Sequence, residues 1–276
     1  MDWTWPFLEE ERFWMSSSDD ELGLGALFKS TFSLKTFEFD GEAITVQQSS
    51  QASTDHELTG EVVWPIAILL AWYIRSNSEI FRGKSVLELG AGVGVSGLMA
   101  SHYASHTCLT DGNKSVVDRL DENAALNIAH GAISTYQLLW GDKESFEELI
   151  KICGNRRPQV LVAADVVCWP AFIEPFLHTV KALLQGAVLT EAALYLGYVE
   201  RASKTTELFY DKAQQLGFSI TEIPKSSFLP MNEEGEGMIC SQRNLQVLKV
   251  VLNMDMEVAA LPPCWLHMDE HVVTPC

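Results

Sequence analysis

Residues 85–97 read S-V-L-E-L-G-A-G-V-G-V-S-G, an apolar run that breaks into four glycines. A strand that passes through a glycine turn into a helix brings backbone close to a bound cofactor. Counted from Gly92, the spacing is G-x-G-x-x-G through Gly94 and Gly97, the dinucleotide pattern. Counted from Gly90, it is G-x-G-x-G directly behind Glu88 and Leu89. The first register carries the strand through Gly90 and sets Glu88 inside a strand buried on both faces, which is costly unless the carboxylate is paired. The second ends the strand near Leu89 and turns Glu88 toward the cleft, where it can meet a cationic or hydrogen-bond-donating ligand. Asp111 ends the next apolar run, where a carboxylate can take both hydroxyls of an adenosine ribose in either register. Glu88 therefore decides between them. It favours S-adenosylmethionine, which carries an amine, a ribose and an adenine but no phosphate. A tight turn without a ligand is the bland alternative.

Around this loop the chain alternates. Strands are expected at 85–89, 107–110, 133–138, 160–164 and 187–196, and helices at 96–104, 114–127, 144–153, 172–184 and 204–216. Apolar strands alternating with amphipathic helices imply an α/β, Rossmann-like, doubly wound sheet covered on both faces. The ending differs: 218–222 and 245–252 read as two strands that pair antiparallel. Upstream, residues 1–35 form an expected leader, with a polar spacer at 16–20. Two β-prone runs then flank Asp40-Gly41, the signature of an N-terminal hairpin. A polar loop at 47–59 and a helix over 60–75 lead into the main domain. The expected division is 1–59 for leader and hairpin, 60–252 for the cofactor-binding domain and 253–276 for a tail.

The formal charge of −18 argues against unaided binding to nucleic-acid phosphates and suits a basic or lysine-bearing partner. With 47% hydrophobic and 20% charged residues, the chain buries a sizeable core. Six scattered cysteines are the habit of reduced thiols, and the acidic N-terminus is unlike a secretion signal. The strongest apolar run, 62–74, contains a proline and is too short to span a bilayer. The expected setting is the cytoplasm, with the nucleus as an alternative, and the expected state is a monomer.

Five segments agree in order: T-G-E-V-V-W-P, V-L-E-L-G-A-G-V-G-V-S-G-L, L-T-D-G-N, L-L-W-G-D and L-V-A-A-D-V-V. This series resembles the seven-β-strand protein-lysine methyltransferases that act on elongation factors, chaperones and calmodulin, over about residues 36–252. The resemblance implies strand order 3-2-1-4-5-7-6 with the last strand antiparallel, and S-adenosylmethionine as cofactor. It also implies that Trp64 lines the cofactor pocket, that Gly90, Ala91 and Gly92 pack on the methionine moiety, and that Asp111 holds the ribose. Trp140 would cover the adenine, and Ala164 would contact the cofactor from the end of the fourth strand.

Asp165 follows that strand, and a carboxylate there is costly unless solvated or partnered. Methyl transfer to a lysine needs the neutral amine, although an unperturbed lysine holds its proton up to a pKa of about 10.4. Asp165 can hold the ammonium and orient the freed amine; its bland alternative is a distant helix cap. The family carries Asp, two apolar residues and then an aromatic. Here Cys168 stands at the aromatic position, and Trp169, one residue later, is the replacement wall. A catalytically silent, cofactor-binding module that regulates a partner is the second reading, motivated by Cys168. A NAD-linked oxidoreductase is third. Cys264, His267, His271 and Cys276 have zinc-ligand types, but no upstream partner ligands accompany them, so no metal site is expected.

Overall fold

The computed structural model describes residues 32–50, 59–127, 129–154, 157–185, 192–230 and 244–253. Strands β1 (Phe32–Phe39) and β2 (Glu42–Ser49) form an antiparallel hairpin. Asp40 and Gly41 join them at φ 47° and 85°, the twist that a two-residue hairpin turn demands. Helix α1 (Pro65–Ser76) follows. The remaining elements then alternate: β3 (Ser85–Leu89), α2 (Val95–Ser101), β4 (His106–Asp111), α3 (Lys114–Ala125), β5 (Ala132–Gln137) and α4 (Lys143–Ile152). They continue as β6 (Val160–Ala164), α5 (Pro170–Gln185), β7 (Ala193–Val199), α6 (Ser203–Gln215), β8 (Phe218–Ile223) and β9 (Leu245–Leu252).

The main sheet runs β5-β4-β3-β6-β7-β9-β8, which is 3-2-1-4-5-7-6 when β3 is counted first. β9 is antiparallel to both β7 and β8, and the other pairs are parallel. Side chains alternate across each strand, so Val86 joins the core under α1 and α2 while Leu87 and Leu89 join the core under α4, α5 and α6. The central strand β6 is apolar throughout because both of its faces are covered. Phe39, Ile44 and Val46 of the hairpin are fully buried in the first of these cores.

Two asparagines dock the hairpin. Asn123 Oδ1 accepts from the Gln47 N–H at 2.7 Å, and its Nδ2 donates to the Gln47 carbonyl at 3.2 Å. One turn later Asn127 repeats the pattern on Thr45, at 2.9 Å and 2.7 Å. Asn123 near the end of α3 and Asn127 just past it place their amides as a pseudo-strand for alternate residues of β2.

The structure departs from the sequence reading at several boundaries, among them the end of α2 at Ser101 rather than 104 and the start of β7 at Ala193 rather than 187. β1 begins at Phe32, so 32–35 belong to the hairpin rather than to a leader. β2 runs to Ser49 because β1 pairs its end, Phe32 opposite Ser49, which shortens the expected loop. α1 starts at Pro65 and not at 60, since proline fits the first helical turn and holds Trp64 extended (ψ 143°). β7 reaches Val199, paired on both sides by β6 and β9. Residues 1–31, the core of the expected loop (51–58), 186–191 and the tail with its Cys and His array lie outside the described residues.

Candidate active site

β3 stops at Leu89 and the glycine loop begins at Gly90, as in the second register, while Glu88 lies buried within the strand, as in the first. Gly90, Gly92 and Gly94 have φ of 64°, 54° and 96°, values that only glycine adopts without strain. The turn is closed by the Gly94 N–H on the Ala91 carbonyl (2.9 Å), and Ala91 N–H is tied to the Thr110 carbonyl (2.8 Å). A Cβ at Gly90 would fall 2.7 Å from Val166 and 3.1 Å from the Trp140 ring. The loop backbone therefore runs directly against the aromatic at the ends of β3 and β6. Gly92 packs against Gly60, whose carbonyl would lie 3.1 Å from an added Cβ.

Asp111 ends β4 and turns back on this loop. Its Oδ2 accepts from the Gly92 N–H at 3.1 Å and its Oδ1 from the Asn113 N–H at 3.0 Å. A carboxylate at this strand end is the chemistry that takes ribose hydroxyls. Asn123 reaches the same loop from below: its buried Nδ2 also donates to the Val93 carbonyl at 2.9 Å.

Glu88 departs from expectation. It is 1% exposed and faces α2 rather than the cleft, because the two-residue period of β3 puts it on the Val86 side. Its Oε2 accepts from the Gly97 N–H at 2.9 Å, and burial pushes its pKa up to about 8. Gly97 is a glycine for this reason, since a Cβ there would meet Leu109 at 2.2 Å and Glu88 Oε2 at 2.4 Å. The carboxyl braces the helix that carries the loop through the Gly97 N–H.

Trp140 follows β5, with its ring 5.1 Å from Phe176 in an edge-to-face contact. The Thr179 hydroxyl accepts from the Gly141 N–H at 2.9 Å, so α5 fixes the turn behind the indole. Trp140 Nε1 is buried with no hydrogen-bond partner among the described residues. Trp64 is partly buried and donates from Nε1 to the Thr59 carbonyl at 2.9 Å, which fixes the ring at the N-terminus of α1. Ala164 ends β6 opposite Gly197.

Asp165 is the first residue past β6, at φ 64°. Both carboxylate oxygens accept from Arg201, a partner that sequence spacing gave no sign of. The cap alternative fails, because α5 starts at Pro170. Cys168 donates its thiol proton to the Asp165 carbonyl (3.6 Å), and burial pushes its pKa up to about 11. Trp169 is 42% exposed in the segment between β6 and α5. The strand has ended by Cys168, the condition for Trp169 to turn toward the acceptor side.

S-adenosylmethionine fits this set. No Lys or Arg lies in 88–101 to neutralise a phosphate, and the loop backbone, an aromatic and a carboxylate are gathered together.

Comparison with known proteins agrees. Protein-lysine N-methyltransferase EFM3 of Chaetomium thermophilum is 27% identical over 198 residues, covering 70% of this chain and 58% of that protein. Calmodulin-lysine N-methyltransferase of Arabidopsis thaliana is 30% identical over 159 residues, covering 56% of this chain and 49% of that one. The chain thus spans about half the length of the curated relatives it matches. The solved 16S rRNA methyltransferase RsmC of T. thermophilus shares the fold, with a TM-score of 0.53 at 15% identity over 80% of this chain and 51% of that one. A family model described as lysine methyltransferase matches residues 39–215, from the end of β1 to the end of α6, and the chain belongs to that family.

Proposed function

We propose that this protein transfers a methyl group from S-adenosylmethionine to a lysine side-chain amine of a protein substrate. The observation that carries the reading is the lysine methyltransferase family match across the whole glycine loop, Asp111 and Asp165 region. Relatives named as protein-lysine and calmodulin-lysine N-methyltransferases support a protein acceptor, and the charge of −18 supports a basic one.

The cofactor supplies an electrophilic methyl group on a sulfonium; the lysine nitrogen forms the new bond to carbon as the carbon–sulfur bond breaks. The protein's part is placement. The Gly90–Gly94 loop offers its backbone to the methionine end, Asp111 takes the ribose hydroxyls, Trp140 covers the adenine, and Trp64 and Ala164 complete the walls. The buried indole N–H of Trp140 and the cramped Gly90 Cα support this division of labour. Asp165 orients the acceptor amine after its ammonium proton has gone to water, and Trp169 shields it. The thiol of Cys168 stays neutral and takes no part. Residues 60–252 form the catalytic unit, with 1–59 as leader and hairpin and 253–276 as a tail. The thiols of Cys108, Cys153 and Cys168 support a reducing setting, the cytoplasm or nucleus.

A second reading, a cofactor-binding module without transfer, is favoured by Cys168 at the aromatic position and by the engagement of both Asp165 oxygens. Tritiated S-adenosylmethionine with cell extract separates the two. A labelled band from the wild type, lost in Asp165→Ala with calorimetric cofactor affinity retained, supports the enzyme. Cofactor binding without any labelled band supports the silent module.

A further inference from the structure

Arg201 lies in the short segment between β7 and α6. It donates from Nη1 to Asp165 Oδ1 at 2.7 Å and from Nη2 to Oδ2 at 2.9 Å, a bidentate fork. The Asp165 side chain is 8% exposed and that of Arg201 41%, so the arginine reaches from solvent to a nearly sealed carboxylate. Asp165 holds a left-handed backbone (φ 64°), which a non-glycine residue keeps only when its neighbours fix it. Three ties do so here. Its N–H donates to the Gly197 carbonyl at 3.0 Å, its own carbonyl accepts from the Cys168 thiol at 3.6 Å, and its carboxylate is gripped by Arg201.

We propose that Arg201 is a positioning residue for methyl transfer: it fixes Asp165 beside the acceptor, and its charge keeps the incoming lysine amine unprotonated. The inference rests on the lysine methylation proposed above. A lone aspartate at the acceptor would bind the ammonium and hold it in the protonated, unreactive form. A guanidinium on the same carboxylate removes that preference, because a like charge within about 4–6 Å lowers a lysine pKa. The forked carboxylate retains lone pairs that can accept from a neutral amine. Proximity to an arginine thus suits an enzyme that must use a free amine near neutral pH, and the released proton goes to water.

The other groups around the pair do not compete. Cys168, with its pKa pushed up to about 11 by burial and by Asp165, is neutral across the working range. Tyr198 is likewise raised by burial and stays neutral. Glu200, exposed, adds a negative charge that is felt at Tyr198. Burial opposes the charge on Arg201, but Asp165 more than offsets it, so the guanidinium remains charged.

Two substitutions separate charge from geometry. Arg201→Gln keeps a donor and loses the charge, whereas Arg201→Lys keeps the charge and loses the fork. The acceptor is the protein that the wild type labels in extract, purified. Its methylation is followed as kcat and KM from about pH 7 to pH 10, with S-adenosylhomocysteine affinity by calorimetry. Arg201→Gln should move the acid limb of kcat up by about one pH unit. At pH 8 its kcat should fall about tenfold, with KM unchanged or lower, because a protonated amine binds but does not react. Arg201→Lys should lower kcat at every pH with the limb in its wild-type place. Cofactor affinity should be unchanged in both. A fall in kcat with an unmoved limb in Arg201→Gln, a moved limb in Arg201→Lys, or wild-type kinetics in both would each overturn the inference. If Arg201→Gln does not fold, the limb position in Arg201→Lys still decides. A wild-type enzyme that labels no protein sinks the methyltransferase proposal and this inference with it, a result distinct from insensitivity to Arg201.

Discussion

Asn123→Ala should loosen the hairpin and the cofactor loop together. The wild-type amide makes three bonds to backbone from a fully buried position: Gln47 N–H at 2.7 Å, Gln47 carbonyl at 3.2 Å and Val93 carbonyl at 2.9 Å. At about 1 kcal/mol net for each bond, the loss is about 3 kcal/mol, and the stranded backbone groups push it higher unless water enters. Asn127 is the internal control. It makes the same reciprocal pair on Thr45, is only half-buried, and its remaining bond goes to Asn123 within α3 rather than to the loop. Asn127→Ala should therefore cost about 1–2 kcal/mol and leave cofactor affinity alone. Urea unfolding gives the stability of each variant, and titration with S-adenosylhomocysteine gives the affinity. Asn123→Ala should weaken binding severalfold, because Val93 sits between Gly92 and Gly94 in the loop that receives the ligand. Equal losses in the two variants, or intact cofactor affinity in Asn123→Ala, would refute the idea that this side chain latches hairpin to loop.

Three further outcomes follow from the site. Glu88 has its folded pKa raised from 4.5 to about 8, so the wild type loses stability as pH climbs through that window and the buried carboxyl must ionise. Glu88→Gln does not titrate; it should match the wild type near pH 5 and exceed it by a few kcal/mol above pH 8. A stability difference that is flat with pH would show that the carboxyl is not sealed. Gly90→Ala combines positive-φ strain with collisions on Val166 and Trp140, whereas Gly83→Ala, at φ 69° with nothing within 4 Å, carries strain alone. Both should lose about 1 kcal/mol to strain, but only Gly90→Ala should lose the thermal shift given by S-adenosylmethionine, and NAD should give neither variant nor wild type a shift. Equal ligand shifts would mean that the Gly90 surface does not face the cofactor. Trp169→Ala should reduce transfer strongly and Cys168→Ser little, as should thiol alkylation, since a neutral buried thiol has no chemical part in amine methylation. The opposite ranking would require a differently built acceptor pocket.

The sheet is legible in the sequence wherever an apolar run ends on a breaker. β3, β6 and β9 have the bounds read from the residues, and Gly90 and Asp40-Gly41 stand where positive φ is needed. The start of α1 is obscured because V-V-W before Pro65 is apolar enough for a helix, and only the proline marks the true boundary. The site is half legible. Asp111 and Trp140 sit at strand ends whose position along the chain can be counted, but the direction of Glu88 depends on strand parity across a sheet with two covered faces. Asn123 meets Gln47 across 76 residues and Arg201 meets Asp165 across 36. Such partners leave no trace in local spacing. Two asparagines four residues apart at the end of an otherwise amphipathic helix are the one signal available for the first; no comparable pattern marks Arg201.

The central claim is that this site methylates a lysine, and the most direct measurement is the chemical identity of the product. The protein labelled from tritiated S-adenosylmethionine by the wild-type enzyme is purified, hydrolysed completely and resolved by amino-acid analysis. The account predicts that the tritium elutes with methylated lysine standards and that Asp165→Ala gives no such peak. Label eluting with another methylated residue, or lysine labelling that persists in Asp165→Ala, would contradict it.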